Sequence, residues 1–148
     1  YLSEDEEVEV VRQSTSIGEA ELKKVIGGEE LLEFTQAVRQ VKLPGVLGRY
    51  IVDLVAASRP TVPGHPDFIA EYVAWGAGLR ASQNIAFIAK ATAAMHGRDT
   101  VKAEDIRKAI VPVLRHRIGL SFRAEVDRVS VEEIIRRLVQ AVPEPAAA

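Results

Sequence analysis

No cysteine occurs anywhere in the 148-residue chain. Disulfide frameworks, zinc–thiolate centres and cysteine nucleophiles are thereby excluded, and the absence fits a reducing compartment. Aromatic residues make up only 5%, with Trp75 the single tryptophan, so the core has to be built mostly from Ala, Val, Ile and Leu. No apolar run approaches the roughly 18 residues of a membrane span. No basic stretch leads into an apolar one, as a secretory signal requires. A cytoplasmic location without membrane contact is the expectation. Several catalytic signatures are missing too. The sequence has no Gly-x-x-x-x-Gly-Lys-Ser/Thr loop to cradle phosphates, no apolar run ending in Asp-Glu to hold magnesium, and no Gly-x-Ser-x-Gly elbow. His65, His96 and His116 lie 31 and 20 residues apart, and only His96 has a ligand-type residue at i+3 or i+4, Asp99, with Gly97 interrupting the helix between them. No metal site is expected from that spacing. Adjacent acids such as Glu132 and Glu133 point in different directions on a helix and read as solvated faces. Taken by itself, the chain is expected to catalyse nothing.

What is present is enough for a folded domain. Hydrophobic residues make up 47% and charged residues 27% of a 16.2 kDa chain, the size of one ordinary domain. The net charge of −2 is unevenly spread. Residues 1–33 carry ten acidic against three basic side chains, a net of −7, and residues 34–148 carry eleven against sixteen, a net of +5. The larger part is therefore mildly basic, which suits an anionic partner without demanding one. The first residue is Tyr1 rather than Met, so the chain is expected to be processed or to be a piece of something longer.

The helical period runs through most segments. Ser3 with Glu6 three residues on forms a capping box before a first helix that ends near residues 14–18, with Val8 and Val11 as a thin apolar stripe. After Gly27-Gly28 a second helix runs from about Glu29 to Gln40, with Leu31, Phe34 and Val38 on its stripe, continued by Val41. A third follows Pro44-Gly45 and buries Leu47, Tyr50, Ile51, Leu54 and Val55, stopping at Arg59-Pro60. Residues 60–66, with three prolines and a glycine, form a loop. A short helix from about Asp67 to Trp75 leads to Gly76-Ala77-Gly78-Leu79, read as a flexible entry to a helix over Arg80–His96. Ile85, Ile88, Thr92 and Met95 share one face of that helix, and Gly97 closes it. Ala103 to about Ile118 is helical with a bend or break at Pro112, residues 119–129 are ambiguous, and Ser130 with Glu133 three residues on forms a second capping box before a last helix with Val131, Ile134, Ile135 and Leu138 inward. The pattern predicts an all-α fold, a compact bundle of about six or seven short helices, over residues 1–142 with a flexible tail at 143–148.

One residue goes against ordinary helix design. Arg80 lies at the start of the most regular helix, where a cation opposes the helix dipole by about 0.3–1 kcal/mol at an exposed site. Two roles are open to it. It pairs with a carboxylate or simply reaches solvent, the reading a single exposed charge favours. Alternatively, the guanidinium and the unpaired N–H groups of the helix start together form an anion site.

Gly76-Ala77-Gly78-Leu79-Arg80-Ala81-Ser82 resembles the Gly-Ala-Ser/Gly-Pro-Arg-Ala sensor-2 motif of the MoxR family of AAA+ ATPases. Four further blocks resemble the family in the same order: residues 1–7 (Tyr-Leu-Ser and four acids), Tyr50 to Val55, Gly97 to Ile106, and Val113 to Ile118. Leu79 and Leu2 stand where the family usually has proline. The likeness spans residues 1 to about 140. It implies a C-terminal AAA+ lid domain without its ATPase core, in a parent that binds ATP and magnesium between core and lid; neither is expected bound to this piece. By the same resemblance Arg80 is the catalytic and nucleotide-contacting sensor-2 residue, acting only with the core. Tyr50 and Ile51 are candidate adenine-edge contacts, although as residues they fit a core role better. The implied partners are the N-terminal ATPase core and ring neighbours, with a hexamer expected. Proteins with von Willebrand factor A domains are further candidates, in a chaperone-like setting.

Arg115, His116 and Arg117 form a second basic cluster. They do not share one helix face and fit a helix C-terminus complemented by positive charge better than a phosphate or subunit contact. Two alternatives remain for the whole chain: a helical nucleic-acid-binding module, motivated by the basic larger part but lacking interleaved aromatics, and a plain protein-interaction domain with no nucleotide role.

Overall fold

The structure is a computed structural model and describes residues 1–16 and 23–145. The elements, in chain order, are α1 (Glu4–Thr15), α2 (Gly28–Gln40), α3 (Gly45–Ala57), α4 (Asp67–Tyr72), β1 (Val73–Trp75), α5 (Leu79–Met95), α6 (Ala103–Leu114), β2 (Gly119–Leu120), α7 (Phe122–Val126) and α8 (Val131–Ala141). The all-α class holds, with eight helices among the described residues where six or seven are expected, plus one two-stranded ribbon. No helix among these residues is long and apolar enough to cross a membrane.

The chain divides into two units, residues 1–31 and 32–148. In the first, the capping box forms as predicted: Ser3 Oγ accepts the Glu6 N–H, and the Glu6 carboxylate accepts the Ser3 N–H at 2.8 Å. α1 buries none of its residues, and Val8 and Val11 stay exposed.

In the second unit, α5 and α6 form the most extensive helix pair, with α3 packed on α5 and α8 packed on both α6 and α3. α3 buries the five residues that its period predicts, Leu47, Tyr50, Ile51, Leu54 and Val55. α8 buries Ile134, Ile135 and Leu138 as expected, with Val131 half-buried. Its Ser130 hydroxyl accepts the Glu133 N–H, but the Glu133 carboxylate turns to Arg136 and Arg137, which hold it down to about 2.

Two expectations are corrected. The face that α5 buries is Ala81, Ile85, Ala89 and Ala93, whereas Ile88 (38%) and Met95 (86%) are exposed. Ile85 is buried as expected, and the rest of the buried face is made of alanines, whose small side chains allow neighbouring helices to approach closely. The helix begun at Asp67 ends at Tyr72, because residues 73–75 pair antiparallel with β2, Val73 opposite Leu120 and Trp75 opposite Gly119. That pairing comes from 44 to 47 residues further along the chain, beyond the reach of any local pattern. Pro112 is accommodated in the last turn of α6, which stops two residues later.

α5 ends in a Schellman turn. Gly97 adopts φ +68°, its N–H donates to Ala94 O, and the Arg98 N–H donates to Ala93 O, both at 2.9 Å. The turn delivers Arg98 to Asp105, a side chain only 1% exposed and the one buried charged group among the described residues. The guanidinium donates to both carboxylate oxygens, at 2.8 and 2.6 Å, and the Lys102 N–H donates to Oδ2 at 2.8 Å, capping α6. Arg98, and secondarily the Lys102 N–H, hold the Asp105 carboxyl below the ordinary aspartate range against the opposing effect of burial.

Because that pKa is lower folded than unfolded, the pair's contribution is complete above about pH 4 and drains away as the pH falls through the folded value. We expect the urea midpoint of the wild-type chain to drop as the pH is lowered from about 4 through the folded value. Asp105→Asn should lose about 2 kcal/mol at pH 7 and show a flatter acid dependence. Parallel acid profiles for the two proteins would remove Asp105 as the cause.

Candidate functional site

The site that the sequence singles out lies where β1 turns into α5. The chain leaves Trp75, passes Gly76, Ala77 and Gly78, and enters the helix at Leu79. The turn read as a flexible entry is tied to the end of α3 at Gly76 and Ala77. A Cβ on Gly76 would lie 2.2 Å from the Ser58 carbonyl oxygen, so the two backbone segments meet more closely than any other residue allows. Ser58, fully buried at the C-terminal end of α3, donates its hydroxyl to Val55 O at 2.6 Å and accepts the Ala77 N–H at 3.0 Å. Arg59 Nε donates to Ala77 O at 2.7 Å. Both backbone groups of Ala77, itself 1% exposed, are thus taken by the end of α3.

α5 starts with Gly78 as its N-cap, which offers no side-chain acceptor, and its first turn contains no acidic residue. Arg80 is in that turn, exposed, and makes no hydrogen bond or ion pair among the described residues. Ala81 beside it is fully buried, so the helix is anchored to the core one residue beyond the arginine. Of the roles open to it, Arg80 reaches solvent rather than a carboxylate, and the helix start around it is open to an anion.

Tyr50 and Ile51, the other two candidates, are 3% and 1% exposed and belong to the core face of α3. Burial, and next the nearby Glu144 charge, push the Tyr50 hydroxyl above its ordinary value, with Arg107 acting the other way. A groove of about 840 Å³ between the start of α3 and the α5–α6 link is lined by Leu47, Arg98, Val101, Lys102 and Glu144 among others, and includes none of the three candidates. The second basic cluster serves the end of α6. Arg115 pairs with Glu132 at 3.3 Å, and Arg117 donates to Val113 O at 2.6 Å and lies against His116. Many basic side chains of residues 34–148 are interleaved with acids in such pairs, among them Arg49–Asp53, Lys108–Glu104, Arg107–Glu144 and Arg123–Asp127. Nothing in that arrangement favours a nucleic-acid track.

The AAA lid domain family matches residues 68–138, the stretch from α4 through α8 that contains this turn and Arg80. The chain is 33% identical to the chaperone MoxR1 of Mycobacterium tuberculosis over 146 residues, 98% of its own length and 38% of that protein's. It is 34% identical to the protein MoxR of Paracoccus denitrificans over 109 residues, 68% of this chain and 31% of that one. The chain belongs to the MoxR-family AAA+ lid domains. The crystal structure of a candidate ATPase from Cytophaga hutchinsonii superposes on this lid domain with a TM-score of 0.77 at 31% identity, covering 97% of this chain and 44% of that one. The lid domain therefore spans about two-fifths of the length of the relatives it matches.

Sequence reasoning alone missed Ser58 and Arg59. They read only as the end of a helix before a proline, and no local signal ties them to a turn 18 residues away. The two glycines of the turn should accordingly respond differently to alanine. Gly78 has open space around its Cβ position and a negative φ, so Gly78→Ala should cost no more than about 1 kcal/mol. Gly76→Ala should cost about 3 kcal/mol, since the backbone of α3 cannot give way as a side chain can. Equal urea midpoints for the two variants would show that the close approach at Gly76 is not what holds the turn.

Proposed function

We propose that this lid domain completes the ATP site of an AAA+ ATPase and senses nucleotide state through Arg80. The observation that carries the proposal is the setting of that arginine. It is exposed and unpartnered among the described residues, on a firmly held turn, at a helix N-terminus without cap or acid. The guanidinium and the first N–H groups of α5 form the binding surface for the terminal phosphate. Arg80 stabilises negative charge that develops there during hydrolysis. When that phosphate leaves, Arg80 loses its partner, and the lid is released to move on the core.

ATP supplies the transferred phosphoryl group and its charge; magnesium belongs to the core. Among the described residues no three acidic or histidine side chains converge as a metal site. Tyr50 and Ile51 are assigned a supporting role, as the packed layer beneath the adenine side of the lid. Residues 1–142 are assigned to the lid and 143–148 to its tail. The N-terminal core, the neighbours of a hexameric ring, chaperone-like work in the cytoplasm and von Willebrand factor A domain partners complete the proposal.

Two measurements test it. The 148-residue chain alone should show no ATP turnover. In the longer protein that joins this lid to its core, Arg80→Ala should lower kcat for ATP hydrolysis by about 100-fold. Wild-type turnover in that variant would end the sensor role.

A further inference from the structure

We infer that Ser58 and Arg59 are positioning residues for Arg80, so that the end of α3 sets where the phosphate-sensing arginine points. This inference rests on the sensor reading of Arg80 and adds a second element to it.

Three observations converge on the turn. The Ser58 hydroxyl, 0% exposed, bridges Val55 O and the Ala77 N–H, and so ties the last turn of α3 to the residue three positions before Arg80. Arg59 Nε takes the other backbone group of the same residue, Ala77 O. Gly76 lies against the Ser58 carbonyl so closely that no side chain fits between them. The turn thus has no freedom to slide along α3. Leu79, 70% exposed, contributes nothing to holding it and does not fix its own φ as a proline ring would. Rigidity at the entrance to α5 is supplied from outside the turn, by the two residues that end α3.

The consequence for Arg80 is geometric. Its side chain is long and unpartnered, so its reach is defined by where the first turn of α5 sits. That turn is fixed by the Ala77 clamp on one side and by the buried Ala81 on the other. A catalytic group displaced by about 1 Å can lose on the order of 100-fold in rate. A displacement of Ser58 and Arg59 at the end of α3 therefore reaches the arginine through Ala77.

The test uses the longer protein carrying lid and core. Arg80→Ala, Ser58→Ala, Arg59→Met, Arg59→Lys and the double variant Ser58→Ala/Arg80→Ala are compared for kcat, KM for ATP and thermal midpoint. Amide exchange over residues 76–81 is followed in each. Ser58→Ala and Arg59→Met should each lower kcat about tenfold with a smaller change in KM, and speed exchange at the turn. Arg59→Lys, which keeps a donor, should recover most of the rate. On the Arg80→Ala background, Ser58→Ala should lower kcat no further. If Ser58→Ala fails to fold, Arg59→Met carries the same comparison from a half-buried position. Wild-type kcat in Ser58→Ala and Arg59→Met, beside a crippled Arg80→Ala, overturns the positioning role alone. Independent, multiplicative losses in the double variant do the same. Wild-type kcat in Arg80→Ala overturns the sensor reading and the positioning role with it.

Discussion

Ala77 is an irregular residue inside a helical fold, and its backbone cannot reach water. A buried N–H and C=O outside regular secondary structure must find partners or lose the free energy of a hydrogen bond each. The partners are Ser58 and Arg59, at the end of a helix that precedes the turn by 18 residues. Meeting that requirement brings α3 and the start of α5 together at the distance that only Gly76 permits. The place where α5 begins, and with it the outward position of Arg80, follows from this one saturated backbone unit.

The other end of α5 is tied by the same kind of contact. Ser58 and Asp105 are the buried polar side chains among the described residues, and each spends its bonding capacity on an end of this helix. Ser58 holds the entry turn. Asp105 receives Arg98, delivered by the Schellman turn at Gly97, and caps α6 through the Lys102 N–H. Between these two fixed points the alanine face of α5 meets α6. A helix tied at both ends in this way is anchored to its neighbours along its whole length.

The charge distribution fits such a part. Most basic side chains of residues 34–148 have acidic neighbours within reach, and these pairs near the surface add little stability individually. Arg80 differs from them because its first turn offers no acid. An unpaired cation at the positive end of a helix is a small local cost that an incoming anion removes. The domain therefore keeps a cation at this helix start open to an incoming anion, as the sensor proposal requires.

The helices that bury a regular stripe were legible in the residues themselves. The five core positions of α3, those of α8, the Ser3 capping box and the Gly97 stop all follow from period and cap chemistry, which act over one or two turns. The family was legible too, because five short blocks recur in order. Three things were decided only by tertiary contact. Residues 73–75 became a strand because β2 supplied the missing partner. On α5, Ala81, Ala89 and Ala93 joined Ile85 on the buried face, while Ile88 and Met95 stayed exposed. The glycine turn became rigid because Ser58 and Arg59 closed on it. Local sequence sets the periodicity and the caps of each helix. Which helices lie close enough for a hydroxyl or a missing Cβ to matter is settled only when the chain has folded back on itself.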